Sequence, residues 1–186
     1  YKRQKNGESL RRRLALAHRV FGDPWPDVSD EALLACAEEW LDLDALAAGR
    51  GSDAASGLRG LLGWQESARL DEVAPETITV PSGSRIRVDY PEPGSDTSPV
   101  LAVKLQECFG WTDGPTVCDG RVRVVLHLLS PARRPLAVTD DLASFWASVY
   151  PAVRVENRGR YSKHPWPEDP MTATPTKRTN RALRGN

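Results

Sequence analysis

The spacing of apolar residues changes once along this chain, at Thr77, and that change excludes most folds. Before Thr77 they recur three and four apart, as on a helix face; after it they alternate, as on a half-buried strand. Residues 8 to 21 set Leu10, Leu14, Ala17 and Phe21 on one helical stripe, with Arg11, Arg12 and Arg19 around the rest of the helix. Gly22-Asp23-Pro24-Trp25-Pro26 ends it, because proline lacks an amide donor and restricts the residue before it. Ser29 suits the N-cap of a second helix, with Asp30 and Glu31 in the first turn where the dipole favours anions. Leu33, Ala37, Trp40 and Leu41 form its apolar face. Five glycines between Ala47 and Gly63 give a loose connection or small helical turns. Leu58, Leu61 and Leu62, then Leu70 and Val73, predict two short helices on either side of Gly63 that end before Pro75. Residues 1–75 are thus expected to form a helical region.

Residues 76–160 read as an α+β domain. Thr77–Val80 and Arg85–Tyr90 alternate as strands, and Pro81-Ser82-Gly83-Ser84 supplies the turn of a hairpin. Ser98 and Pro99 suit the start of a short helix carrying Leu101, Leu105, Cys108 and Phe109 up to Gly110. Residues 121–129 are the strongest strand, and Pro135–Val138 returns beside it after a turn at Ser130–Arg134. Thr139 caps a last helix, with Leu142, Phe145, Trp146 and Val149 inward, until Pro151 stops it. The order strand-strand-helix-strand-strand-helix predicts a small antiparallel sheet with helices on one face; an OB-like barrel is the alternative. In residues 161–186, Pro165, Pro167, Pro170 and Pro175 exclude helix interiors and central strands. This extended basic tail is expected to dock through Tyr161 and Trp166, with its last dozen residues disordered when isolated.

Among 186 residues, 40% are apolar, enough for a core in one domain or two small ones. No apolar run approaches the roughly 18 to 20 residues of a membrane-spanning helix, and no apolar stretch follows the basic N-terminus as in an export signal. A soluble, cytoplasmic protein without membrane partners is expected. Cys36, Cys108 and Cys118 form an odd set without C-x-x-C spacing, which fits reduced thiols. Net charge is zero but polarised: seven Lys/Arg against one acid in residues 1–20, eight against three in 153–186, and 10 against 21 between them. Basic ends of this kind pair with an acidic body, contact phosphates, or both.

No pattern of catalytic chemistry emerges. Asp30-Glu31-Ala32-Leu33 is one residue from the Asp-Glu-Ala-His box of a helicase motor, but it opens a helix instead of ending a buried strand, so its acids serve the helix start. No G-x-x-x-x-G-K-[ST] loop occurs, so no cofactor is expected in this chain. His18, His127 and His164 lie far apart with no ligand spacing, and no metal site is expected. Asp140 and Asp141, adjacent at a helix start, suit capping better than paired acid-base work. What remains is binding. Arg85 and Arg87 share one face of a strand, Arg121 and Arg123 share a face of another, and Arg133 and Arg134 occupy a turn. With Arg160 and Lys163 beside Tyr161 and Trp166, these cations supply what phosphate contact and base stacking require. The competing reading is that they neutralise the acidic body.

Four stretches carry a family resemblance. Leu126-His127-Leu128-Leu129-Ser130-Pro131-Ala132-Arg133-Arg134-Pro135-Leu136 is the longest; Val80-Pro81-Ser82-Gly83-Ser84-Arg85-Ile86, Asp141-Leu142-Ala143-Ser144-Phe145-Trp146 and Arg160-Tyr161-Ser162-Lys163-His164-Pro165-Trp166-Pro167-Glu168-Asp169-Pro170 accompany it. Together they resemble the C-terminal region of the bacterial DEAH-box ATP-dependent helicase family HrpB. Trp25-Pro26-Asp27 and Ser29-Asp30-Glu31-Ala32-Leu33-Leu34 are similar to it as well, and departures lie in the Gly/Ala-rich 44–60 stretch and the extreme tail. The resemblance implies a parent whose two RecA-like motor domains, absent from this sequence, bind ATP and Mg and move on RNA or single-stranded nucleic acid. It implies that this piece follows the motor, winged-helix and helical-bundle domains and guides the strand or regulates the motor. The other possibility is a packing module that docks on the motor domains of the same polypeptide without touching RNA. The resemblance transfers no nucleic-acid contact to particular residues.

Overall fold

The structure, a computed structural model, describes residues 2–185, with side chains from residue 4; the two chain ends of the charge pattern, Tyr1 and Asn186, lie outside the described residues. The chain forms two compact units. The first contains the helical region together with Tyr90–Ser98 and Val117–Val122; the second contains the remainder.

In the first unit α1 runs over Lys2–Phe21, longer than its apolar stripe predicts, and buries Leu10, Leu14, Leu16 and Ala17. Ser29 caps α2 (Asp30–Ala35), its hydroxyl accepting from the Ala32 amide at 3.2 Å. The single helix predicted through Leu41 instead breaks at Cys36 into α2 and α3 (Ala37–Trp40), and the Trp40 indole donates to the Leu33 carbonyl at 2.9 Å. Two short helices follow, α4 (Leu43–Ala47) and α5 (Ala54–Gly60), and α6 (Trp64–Val73) ends before Pro75 as expected. Gly57 is required at its place: a Cβ there would lie 1.9 Å from the Trp40 carbonyl oxygen. Arg13, only 1% exposed, ties the unit together. Its guanidinium donates to the Ala74 carbonyl (2.6 Å), Asp71 (2.6 Å) and Glu76 (3.2 Å), so the buried charge is compensated on every side.

The second unit is built on a five-stranded sheet in the order β1-β2-β3-β6-β7: β1 Thr77–Thr79, β2 Arg85–Asp89, β3 Val100–Lys104, β6 Val125–Leu129 and β7 Pro135–Thr139. Between them in sequence, β4 (Thr116–Val117) and β5 (Val122–Arg123) form a separate two-stranded ladder. Both predicted hairpins are present. The helix predicted from Ser98 is not: Val100–Lys104 is the central strand, parallel to β6 and antiparallel to β2, and only Leu105–Cys108 curls into a 3-10 turn. The sheet is therefore mixed and open rather than purely antiparallel or barrel-like. Burial alternates along β3, with Leu101 and Val103 buried and Ala102 exposed, which is strand periodicity. Pairing on both sides outweighs the N-cap signal of Ser98-Pro99, because only a strand satisfies the backbone of a central position.

The core of this unit joins the inward row Val88, Leu101, Val103, Leu126 and Leu128 to an aromatic cluster. Within that cluster Trp146 lies 5.1 Å from Phe145, 5.3 Å from Tyr150 and 6.0 Å from Phe109, ring centre to ring centre. The helical segment that carries three of these rings is capped by Asp141, not Thr139; the Asp141 carboxylate accepts from the Ser144 amide at 3.1 Å. Pro151 does not stop it. The segment runs from α7 (Leu142–Ser144) through a wide π turn at Phe145–Val149 into α8 (Tyr150–Asn157), where proline falls in the first turn and its missing amide has no carbonyl to serve. The π turn leaves Val149 facing solvent, contrary to the expected inward position.

The tail after Arg160 is a strap. The Pro170 carbonyl accepts from the Gly110 amide (2.9 Å), the Pro167 carbonyl from the Tyr150 hydroxyl (2.6 Å), and the Trp166 carbonyl from Arg154 Nε (2.7 Å). The final residues are not structureless: Thr176 is buried with its amide on the Gln106 carbonyl, and Thr179 caps α9 (Asn180–Arg184), whose first amide donates to the Lys163 carbonyl at 2.7 Å. Small residues and prolines conceal this order, because the strap is held by its backbone carbonyls and amides more than by apolar side chains.

Candidate nucleic-acid interface

The register of the sheet assembles a basic face. On β2 Val88 points into the core, so Arg85 and Arg87 point the other way, opposite Thr79 and Thr77 of β1. On β3 the same face carries Ala102 and Lys104, and Ala102 pairs in register with His127 of β6. The β6–β7 turn adds Arg133. Its φ of 64° is left-handed, unusual for a residue with a Cβ, and the turn is held by Ser130 N–H to the Arg134 carbonyl and Arg133 N–H to the Ser130 carbonyl, both at 2.8 Å. A register shift at Leu128/Leu129 accompanies it, as in hairpins that close with a bulge. Arg85, Arg87, Lys104 and Arg133 line one cavity of about 290 Å3 over the small side chain of Ala102.

These cations are not neutralised by carboxylates. Among the described residues none of the four forms an ion pair; the Arg85 guanidinium donates to the Thr77 hydroxyl at 3.2 Å. One acid, Glu107, lines the same cavity, and it accepts from the hydroxyls of Ser84 (2.5 Å) and Ser82 (2.9 Å) rather than from a cation. Burial, and then the Lys104 ammonium, hold the His164 imidazole below its ordinary range, so it remains neutral as pH falls to a point where a free histidine is charged.

The other predicted residues lie elsewhere. Arg121 belongs to the first unit, where the left-handed turn Asp119-Gly120 places its guanidinium 4.9 Å from the centre of the Phe21 ring. Arg123 lines a different cavity, with Asp113, Asp140 and Asp141. Arg134, Arg160 and Lys163 are exposed outside the cavity. Of the tail aromatics, Trp166 is buried with its indole N–H on the Tyr161 carbonyl at 3.1 Å, and Tyr161 is half-buried. The strand pattern of Leu101 and Val103 is the signal that would have found Lys104, and Ser82, Ser84 and Glu107 emerge only from their mutual geometry.

An open mixed sheet of this kind, flanked by helices and a carbonyl-held strap, is the fold of a helicase C-terminal region. Residues 37–170 match the family described as ATP-dependent helicase C-terminal, and the chain belongs to the HrpB family as its C-terminal part. The ATP-dependent RNA helicase HrpB of Escherichia coli (strain K12) is 46% identical over 180 residues, covering 94% of this chain and 22% of that protein. Among solved structures, that of the E. coli DExH-box NTPase HrpB superposes with a TM-score of 0.83 at 46% identity, over 94% of this chain and 22% of that chain. That of the E. coli DEAH/RHA helicase HrpB gives 0.69 at 44% identity, over 87% and 21%. The chain thus spans about a fifth of the length of the relatives it matches.

Proposed function

We propose that this C-terminal region binds single-stranded RNA on the Arg85, Arg87, Lys104 and Arg133 face and guides the strand for motor domains of the same polypeptide, where ATP and Mg act. The observation that carries the reading is the absence, among the described residues, of carboxylate partners for these four cations, in a chain whose overall charge is balanced. Each unpaired guanidinium or ammonium replaces a counterion condensed on a phosphate, and release of those counterions drives binding. RNA is the nucleic acid named for the E. coli relative. Fluorescence anisotropy with single-stranded RNA tests the proposal. Four phosphate contacts predict a slope of roughly −3 in log affinity against log salt. Salt-independent binding, or no binding at low ionic strength, contradicts the reading.

A docking module that regulates the motor without touching RNA is the second reading. Trp64, 81% exposed at the start of α6, supports it, because a large apolar side chain left in water is what a partner surface covers. It predicts that Trp64→Ala in the full-length polypeptide lowers RNA-stimulated ATP hydrolysis and leaves RNA affinity unchanged.

A further inference from the structure

The basic cavity contains one acid, and its placement bears on what else the ligand must carry. Glu107 is only 5% exposed, yet it lines the cavity with Arg85, Arg87, Lys104 and Arg133. Its Oε1 accepts both serine hydroxyls, from Ser84 at 2.5 Å and Ser82 at 2.9 Å, and the Ser82 amide donates to the Glu107 carbonyl at 3.2 Å. These bonds join the Pro81–Ser84 turn to the 3-10 turn at Leu105–Cys108 and fix the carboxyl group in place. Oε2 takes no hydrogen bond among the described residues. Nor is it sealed off, since the fully enclosed side-chain oxygen or nitrogen that lacks a partner among those residues is Gln106 Oε1. Oε2 therefore keeps solvent contact and a free acceptor position, in a residue that lines the cavity.

A carboxylate accepts hydrogen bonds and repels phosphate oxygens, so the ligand group that meets Oε2 must carry a hydrogen. Along a polynucleotide backbone the phosphodiesters only accept, and the single donor per residue is the ribose 2′-hydroxyl, which DNA lacks. We infer that Glu107 is a specificity-determining residue of this face, its Oε2 accepting the 2′-hydroxyl of a ribose whose neighbouring phosphates lie on Arg85, Arg87, Lys104 and Arg133. The inference rests on the nucleic-acid reading above and extends it from a charge match to a discrimination of RNA from DNA. It also accounts for an acid in a cavity that binds anions: the repulsion it exerts on every phosphate is offset in RNA alone.

Anisotropy titrations of the 186-residue chain with fluorescein-labelled oligouridylate, oligodeoxyuridylate and 2′-O-methyl oligouridylate of one length isolate the hydroxyl, because the pairing edge of the base is the same in all three. The expected result is about tenfold tighter binding of oligouridylate than of the other two, the size of one charge-assisted hydrogen bond. Glu107→Gln keeps an oxygen for the serine hydroxyls and puts an NH2 group where Oε2 stood; it is expected to bind all three probes alike and no more weakly than the parent binds the deoxy probe. Equal affinity of the parent for oligouridylate and oligodeoxyuridylate overturns the inference and leaves the nucleic-acid reading standing, as does a tenfold preference that survives in Glu107→Gln. Binding of none of the three by the parent overturns both. Even where the variant folds poorly, equal affinity of the parent for the three probes overturns the inference.

Discussion

The arginines of the N-terminal helical unit and those of the sheet face have the same chemistry and opposite surroundings. On α1, Arg11 pairs with Asp30, Arg12 with Glu8 and Glu92, Arg13 with Asp71 and Glu76, while Arg19 donates to the carbonyls of Ser95 and Thr97. On the sheet, Arg85, Arg87 and Arg133 have no carboxylate within ion-pair distance among the described residues. The first group closes loops onto a helix; the second is open to a ligand. The contrast separates, residue by residue, neutralising the acidic body from contacting phosphate: α1 does the former, and the sheet face is proposed to do the latter.

Predictions that break this contrast can be ordered by size. Arg13→Ala removes a buried guanidinium and leaves the Ala74 carbonyl and two acids without their donor, so it is expected to destabilise the fold by about 3 kcal/mol in urea denaturation. Arg85→Ala with Arg87→Ala is expected to leave the denaturation midpoint nearly unchanged, within about 0.5 kcal/mol, and to flatten the salt slope of RNA binding by roughly 1.4, or about 0.7 for each phosphate no longer neutralised. Arg69→Ala breaks the exposed, solvent-screened pair with Asp119 (2.9 Å) and is expected to move the denaturation midpoint least of all, with any loss fading in high salt.

A pH series sharpens the same comparison without mutation. Burial pushes the Cys118 thiol up to about 11 and the Tyr150 phenol up to about 12, and raises Cys108 and Tyr90 as well. Each native group holds its proton more tightly than in the unfolded chain, so the stabilisation is complete below the unfolded values and is lost as pH rises through the native ones. Urea midpoints are therefore expected to fall steadily between about pH 8.5 and 11. A flat profile over that range contradicts the burial of these groups.

Much of the fold is legible in the sequence because it rests on periodicity. Leu10, Leu14 and Ala17 announce α1, Ser29 its successor, and both hairpins follow from alternation around turn residues. The departures share one cause, local signals overridden by pairing at a distance. Ser98-Pro99 reads as a helix start, yet Leu101 and Val103 are drawn into the sheet by a β6 strand more than twenty residues away. Pro151 reads as a stop, yet the π turn before it accommodates the missing amide. The site divides in the same way. Arg85 and Arg87 share a strand face by simple alternation, which sequence alone reveals; whether Arg123 joins them depends on register and topology, and it lines a different cavity, while Arg121 belongs to the other unit. Lys104 and Glu107 escape sequence reading together, because both follow from reading β3 as a strand with a tight turn after it.

The most direct test is a charge-matched pair of variants in one RNA titration. Arg85→Ala with Arg87→Ala and Arg11→Ala with Arg12→Ala each remove two positive charges from the chain, one pair from the sheet face and one from ion-paired positions on α1. The account predicts that the sheet variant loses affinity for single-stranded RNA by at least about tenfold at low salt, while the α1 variant stays within about twofold of the parent. Equal losses in the two variants, or a larger loss in the α1 variant, would show that net charge and not the open face governs binding.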